Sequence, residues 1–198
     1  MNEEALKLTL SSSPHAHSPN STRRIMLDVC IALLPALLGA IVFFGARALT
    51  LTALSVAGCV FFEWAYRRIM KKDNTTGDLS AVVTGIILAL NMPVGMPLWI
   101  AVVGAFVAIV ITKQLFGGLG YNFANPALVG RIVLFLGFTS RMTAYVYPDM
   151  AVDALASATP LASSVDRHAV SLLDMFLGLH GGMMGEVCVL AILLGFAY

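Results

Sequence analysis

Charged side chains are scarce in this sequence. Asp, Glu, Lys and Arg together make up 12% of its 198 residues, while hydrophobic residues make up 59%. A typical soluble domain is about one quarter charged. The formal net charge is only +1 and there is no acidic or basic tail, so an electrostatic nucleic-acid partner is excluded. The composition therefore indicates a protein whose solvent is largely the lipid bilayer.

Cysteine is also rare, and its placement excludes several kinds of site. The three cysteines, Cys30, Cys59 and Cys188, are isolated in apolar runs without the spacing of metal ligands. The four histidines show no ligand cluster either. An iron–sulfur centre held entirely by this chain is therefore not expected, and the cysteines are interpreted as small buried hydrophobic residues.

Long apolar runs are what the sequence does contain. Residues 25–44 and 48–66 form two runs of about 20 residues, the length that crosses a hydrocarbon core about 30 Å thick. Residues 79–90 and 98–112 form shorter runs around the breaker-rich stretch 91–97, and a further run follows over 126–138. Broken helices around a membrane site, or a tilted helical hairpin, explain the short runs equally well. The fold class is an all-α polytopic bundle.

The basic residues give the bundle a predicted orientation. Eight of the twelve lie on one side when the runs are threaded alternately across the membrane, and cytoplasmic loops are rich in Lys and Arg. We therefore expect a polar cytoplasmic segment over residues 1–24, transmembrane helices over 25–138 and an extracytoplasmic loop over 139–168. Residues 169–198 are expected to form a short re-entrant segment and the start of a truncated sixth helix. The eight residues are Lys7, Arg23, Arg24, Arg67, Arg68, Lys71, Lys72 and Lys113.

A glycine-rich stretch precedes the fifth run. Residues 117–127 read GGLGYNFANPA, and Asn125 before Pro126 is typical of a helix N-cap followed by proline at the first helical position. The helix would start with free N–H groups beside the amides of Asn122 and Asn125. Such a start suits the carbonyl or ring-nitrogen acceptors of a planar ligand, although a connecting turn with a capping Asn fits the pattern as well.

One basic residue falls within the membrane part of the chain. Arg131 lies inside the fifth run, where an ionisable group is costly and suggests a function. It is a candidate ligand for a phosphate or carboxylate. The structural alternatives are that it snorkels to the interface or pairs with Asp28, Glu63 or Asp78.

The predicted outer loop contains the sequence DALASATPL at residues 153–161. Taken alone, it is a small-residue loop or helix end before a proline. It nevertheless resembles the flavin-attachment motif of a family of membrane flavin subunits. The family comprises the D subunit of the Rnf ferredoxin:NAD oxidoreductase and the B subunit of the sodium-pumping NADH:quinone oxidoreductase, and the chain is more similar to the former. Further resemblance lies in residues 12–15 (SSPH), 24–29 (RIMLDV), 78–80 (DLS), 84–85 (TG) and 120–127 (GYNFANPA).

The resemblance implies two flavins. FMN would be joined through its phosphate to the hydroxyl of Thr159 by a separate flavin transferase, with Ser157 and Ala158 beside the acceptor. Asp153 would be read by the transferase or act as a local cap. Riboflavin would be held without a covalent bond by the positions that match Asn122 and Asn125, nearer the cytoplasmic side.

The resemblance also implies a role and an architecture. The chain would be the electron-transferring component of an ion-translocating respiratory complex in the bacterial inner membrane, incomplete as an enzyme by itself. Its partners would be the other Rnf subunits, including an extracytoplasmic FMN subunit, and the transported ion would be Na⁺ or H⁺. The helices would form the first half of an inverted repeat similar to that of urea transporters. A solute transporter or channel of related fold, without flavin, is the alternative.

Overall fold

The part of the chain that the structure describes is mainly helical. The structure is a computed structural model that describes residues 21–147 and 172–198. The prediction of an all-α membrane helical bundle is confirmed. The helices are α1 (Thr22–Phe44), α2 (Ala46–Ile69), α3 (Ser80–Leu90), α4 (Leu98–Phe106), α5 (Pro126–Gly137), α6 (Thr139–Met142), α7 (Leu172–Leu177) and α8 (Val189–Ala197), with a 3₁₀ turn at Thr76–Asp78 and a π-helix at Val107–Gln114.

Helices α1 and α2 form a hairpin of two membrane-length helices. They have 23 and 24 residues, and both are long and apolar enough to cross a bilayer. Gly45 joins them with a φ of 66°, a left-handed value that glycine adopts without strain. The hairpin brings the basic residues that flank both helices to one end of the bundle. This end, marked by Arg23, Arg24, Arg67 and Arg68, is called the basic end, and the opposite one the Gly45 end.

The third and fourth apolar runs are short helices, as the sequence predicts. α3 has 11 residues, about 16 Å of helix at ~1.5 Å per residue. The irregular stretch after it is held by other parts of the chain, because Gly185 N–H donates to the Leu90 carbonyl at 2.8 Å and Arg47 Nη2 donates to the Met96 carbonyl at 2.8 Å. Non-helical backbone at membrane depth is tolerated where protein satisfies it in this way.

The helix that follows changes its winding part-way along. α4 runs directly into the π-helix Val107–Gln114, whereas the sequence predicts that the run ends at Thr112. π-helices are rare and are frequent at functional sites. Here the wider winding accompanies the burial of three consecutive polar residues, Thr112, Lys113 and Gln114.

Glycines allow the central helices to approach closely. A Cβ added at Gly85 on α3 would lie 2.6 Å from the Val56 Cα on α2, and one at Gly104 on α4 would lie 2.7 Å from Leu134 Cδ1 on α5. The Ser55 hydroxyl donates to the Gly85 carbonyl at 2.9 Å across the α2–α3 contact. Small residues and interhelical hydrogen bonds of this kind drive helix association in membranes.

The Gly85 contact generates a prediction on stability. Gly85→Ala places a methyl group against α2 backbone that cannot rotate away, and overpacking of this kind costs about 1–3 kcal/mol. We expect a clear fall in thermal stability of the detergent-solubilised protein. Gly137→Ala is the matched control, since nothing lies within 4 Å of its added Cβ. Equal stability of the two variants would contradict the assigned α2–α3 contact.

Candidate functional site

A cavity opens at the basic end, where α1, α3 and α5 begin and the π-helix ends. Its volume is about 360 Å³, within the range of roughly 300–1,000 Å³ that is usual for small-molecule sites. Apolar side chains form part of its wall. Its polar lining comes from Ser80, Thr84, Lys113, Asn122 and Asn125. We call it the basic-end cavity.

The two asparagines predicted from the sequence both line this cavity. Asn125 caps α5 as expected, because its Oδ1 accepts from Ala127 N–H at 3.0 Å, and Pro126 occupies the first helical position. Asn122 Oδ1 is buried and has no hydrogen-bond partner among the described residues. A buried acceptor without a partner is costly, and a ligand N–H in the cavity would satisfy it.

A buried ion pair lies beside the cavity. Lys113 Nζ is 2.8 Å from Glu63 Oε2, and the two residues are 1% and 0% exposed. Glu63 Oε1 accepts from Gln114 Nε2 at 3.0 Å and from the Thr75 hydroxyl at 2.8 Å. Within residues 21–147 and 172–198 this is the one ion pair between side chains. Removing either charge would leave the other buried without compensation.

The start of α3 belongs to the same network. Lys113 Nζ donates to the Ser80 hydroxyl oxygen at 2.6 Å, and Ser80 in turn donates to Asp78 Oδ1 through its hydroxyl and its backbone N–H. Leu79 between them has a φ of 65°, a left-handed value that is uncommon for a residue other than glycine. Such strain is found at functional sites, and here it accompanies the approach of Asp78 and Ser80 to Lys113.

This ion pair is not evident from the sequence. The sequence places Lys113 among the basic residues of the predicted cytoplasmic side and offers Glu63 only as an alternative partner of Arg131. The sequence does contain a signal for a buried polar group. Three consecutive polar residues, Thr112, Lys113 and Gln114, directly follow apolar ones, and they cannot all face water on a packed helix.

The proposed carboxylate partners of Arg131 are wrong. Arg131 Nη1 donates to Asn91 Oδ1 at 2.9 Å, and the ion pair of Glu63 is with Lys113 instead. Tyr145 and Glu186 lie near the Arg131 guanidinium. Burial raises the pKa of Tyr145, the Glu186 carboxylate raises it further, and Arg131 opposes them. Asn91 therefore serves as the neutral acceptor for the Arg131 guanidinium.

A larger cavity of about 480 Å³ lies between α1, α3 and α8. Its wall is mostly apolar, and Asn91 and Glu186 are the polar side chains that line it. Size does not make it the better candidate site, because ligand sites combine apolar walls with several convergent polar groups. The basic-end cavity has five such side chains, one of them the buried Lys113.

The predicted attachment site of FMN is outside the described residues. Asp153, Ser157, Ala158 and Thr159 fall between residues 148 and 171, which the structure does not describe. Their assignment therefore stays a prediction from the sequence.

The comparisons with known proteins give one consistent result. Residues 9–198 match the model of the NQR2, RnfD, RnfE family. The chain belongs to this family. It is 47% identical over 203 residues, covering all of this chain, to the D subunit of a Na⁺-translocating ferredoxin:NAD⁺ oxidoreductase complex from Acetobacterium woodii. It is 34% identical over 202 residues, or 96% of the chain, to the D subunit of a proton-translocating ferredoxin:NAD⁺ oxidoreductase complex from Clostridium ljungdahlii.

The chain spans only part of the length of these relatives. It covers 63% of the Acetobacterium protein and 61% of the Clostridium protein. The D subunit of an ion-translocating oxidoreductase complex from Actinobacillus succinogenes is 40% identical over 141 residues, which is 70% of this chain and 40% of that protein. The family resemblance seen in the motifs is thus confirmed over nearly the whole chain.

The Glu63–Lys113 pair generates a prediction on folding. Lys113→Met leaves a buried carboxylate and Glu63→Gln leaves a buried ammonium, and breaking a buried pair costs about 3–5 kcal/mol. We expect each single variant to be strongly destabilised and the double variant to recover much of the loss. Unfolding by denaturant in mixed micelles measures the cycle. Arg68→Gln, which removes an exposed cation at the same end of the bundle, is the control, and additive single effects would contradict the pairing.

Proposed function

We propose that this chain is the membrane flavin subunit of an ion-translocating oxidoreductase complex. It would carry FMN on Thr159 and pass electrons within the complex, coupled to transport of Na⁺ or H⁺. The observation that carries the proposal is the attachment-type motif at residues 153–159 in a chain of this family. Its partners would be the other subunits of the complex, including an extracytoplasmic FMN subunit, and a flavin transferase would mature it.

The two ends of the segment that contains Thr159 support its assignment to one side of the bundle. The described chain stops at Tyr147 and resumes at Leu172. Near these points, a Cβ added at Gly181 would lie 3.4 Å from Tyr147 Cε2, and one at Gly178 would lie 3.2 Å from Phe43 Cε2 beside Gly45. Both flanks thus belong to the Gly45 end, opposite the basic-end cavity. With the basic end cytoplasmic, as its Lys and Arg residues favour, Thr159 would be extracytoplasmic.

We further propose that the basic-end cavity holds a second flavin, riboflavin. Its residues fit a planar ring with carbonyl and N–H groups. Asn122 Oδ1 is an unpartnered buried acceptor for a ring N–H, and Lys113 and the amides supply donors for ring oxygens. Bound flavins exchange one or two electrons while the protein tunes their potential and access. The chain's own part is to bind and orient the ring and to exclude water from it.

Covalent attachment is tested by removing the acceptor hydroxyl. We expect Thr159→Ala, produced together with the flavin transferase, to lose all flavin fluorescence in a denaturing gel, and its intact mass to lack the FMN adduct. Thr143→Ala is the matched control, because that hydroxyl lies among the described residues after α5, where it donates to the Thr139 carbonyl. Unmodified wild-type protein would remove the electron-carrier proposal and favour the solute transporter alternative.

Binding in the cavity is tested through the unpartnered amide. Asn122→Leu removes the acceptor, and one lost hydrogen bond to a buried group costs about 1–3 kcal/mol. We expect riboflavin affinity to fall about tenfold or more, a factor that corresponds to roughly 1.4 kcal/mol, in protein made without the transferase. Asn74→Leu is the control, since Asn74 is exposed at the same end and outside this cavity. Unchanged affinity in Asn122→Leu would place the riboflavin elsewhere.

A further inference from the structure

We propose that the ammonium of Lys113 is shared between Glu63 and the ligand of the basic-end cavity, so that Lys113 favours and Glu63 opposes negative charge on that ligand. This inference rests on the proposed function, because the ligand is taken to be a flavin. It assigns to the ion pair a role in setting the redox preference of the bound ring, beyond its role in packing.

The position of Lys113 is the first support. It is 1% exposed, yet it is among the residues that line the cavity. Among the described residues its Nζ has two acceptors, Glu63 Oε2 and the Ser80 hydroxyl, whereas an ammonium has three N–H donors. One donor therefore remains for an acceptor atom of a ligand in the cavity.

The charges around Lys113 are the second support. Glu63 on α2 and Asp78 in the 3₁₀ turn both belong to its hydrogen-bond network, Asp78 through Ser80. Glu63 thus contacts the ammonium directly, Asp78 is connected to it through the Ser80 hydroxyl, and the other members, Thr75, Gln114 and Ser80, are neutral. A ligand that gains negative charge competes with Glu63 for the same cation, because an opposite charge within a few ångströms is stabilising and a like charge is not.

The backbone around the pair is the third support. The π-helix supplies Lys113 and Gln114 together, and the left-handed Leu79 lies between Asp78 and Ser80. Both features are less favourable than ordinary helix or turn. The π-helix and the left-handed residue both lie next to the Lys113 ammonium at the edge of the cavity. This is expected if the ammonium is positioned to bind a ligand.

The test compares how the protein binds oxidised and reduced riboflavin. The full chain is produced without flavin transferase, reconstituted in lipid nanodiscs and loaded with riboflavin. Spectroelectrochemical titration then gives the midpoint potential of the bound ring, which reports the ratio of its two affinities. A tenfold change in that ratio corresponds to about 59 mV for one electron and about 30 mV for two.

Opposite shifts are expected from the two partners. Lys113→Met should lower the affinity for reduced riboflavin about tenfold relative to that for oxidised riboflavin. Glu63→Gln should raise this affinity ratio by a similar factor. The double variant Glu63→Gln with Lys113→Met removes both charges and avoids an uncompensated one, so it tests the inference even where a single variant fails to fold. It should match Lys113→Met in direction, with a smaller shift. Arg47→Gln is the control, because Arg47 lies at the Gly45 end and should leave the ratio unchanged.

The outcomes separate this inference from the proposed function. If riboflavin binds the wild type and its midpoint potential is unchanged in both the double variant and Glu63→Gln, the proposed role of Lys113 is overturned while the cavity assignment stands. Shifts of the same sign in Lys113→Met and Glu63→Gln overturn it as well. A wild type that binds no riboflavin overturns the cavity assignment and this inference together, while covalent FMN on Thr159 stays testable by mass.

Discussion

The buried contact between Glu63 and Lys113 is the constraint on which the basic end of the bundle depends. The two charges are 50 residues apart in the chain and 2.8 Å apart in space. The pair and its hydrogen-bond partners come from α2, the loop before α3, α3 itself and the π-helix, so a shift of any of these elements would break a hydrogen bond of the pair. Well-packed hydrophobic residues would often be as stable as such a pair. Its presence at the edge of a cavity is therefore better explained by chemistry than by stability.

The rest of the bundle is consistent with this constraint. α3 is held against α2 by the Gly85 contact and the Ser55 hydrogen bond, which fixes the position of Ser80 at its start. α5 is held against α4 by the close approach of Gly104 and Leu134, which fixes its capped N-terminus beside the cavity. Packing in the middle of the membrane thus positions the polar groups at its edge, and strain at Leu79 is supported by rigid neighbours.

Local patterns in the sequence predicted more than distant pairs did. The N-cap at Asn125 and the breaks around residues 91–97 depend on adjacent residues, so the sequence shows them directly. The partners of Arg131 and Glu63 depend on which helices meet, and charge alone suggested a carboxylate where the structure has the amide of Asn91. The π-helix was missed because its register is decided by tertiary contacts. The prediction of Thr159 as the flavin acceptor rests on the resemblance to the family, since small residues before a proline have no chemistry of their own.

The opposite placement of the two proposed flavin positions gives the fold a physical rationale. The flanks of the Thr159 segment are at the Gly45 end, whereas Asn122, Asn125 and Lys113 are at the basic end. α5 connects the two ends with 12 residues, about 18 Å at ~1.5 Å per residue. Its one charged residue, Arg131, bonds an amide and no carboxylate among the described residues. If flavins occupy both proposed positions, an electron that reaches the basic-end cavity would change the charge beside Lys113 in a site of low dielectric, where charges interact most strongly. Electron arrival at the proposed riboflavin position would then alter the electrostatics of the buried Glu63 carboxylate, which is paired with Lys113.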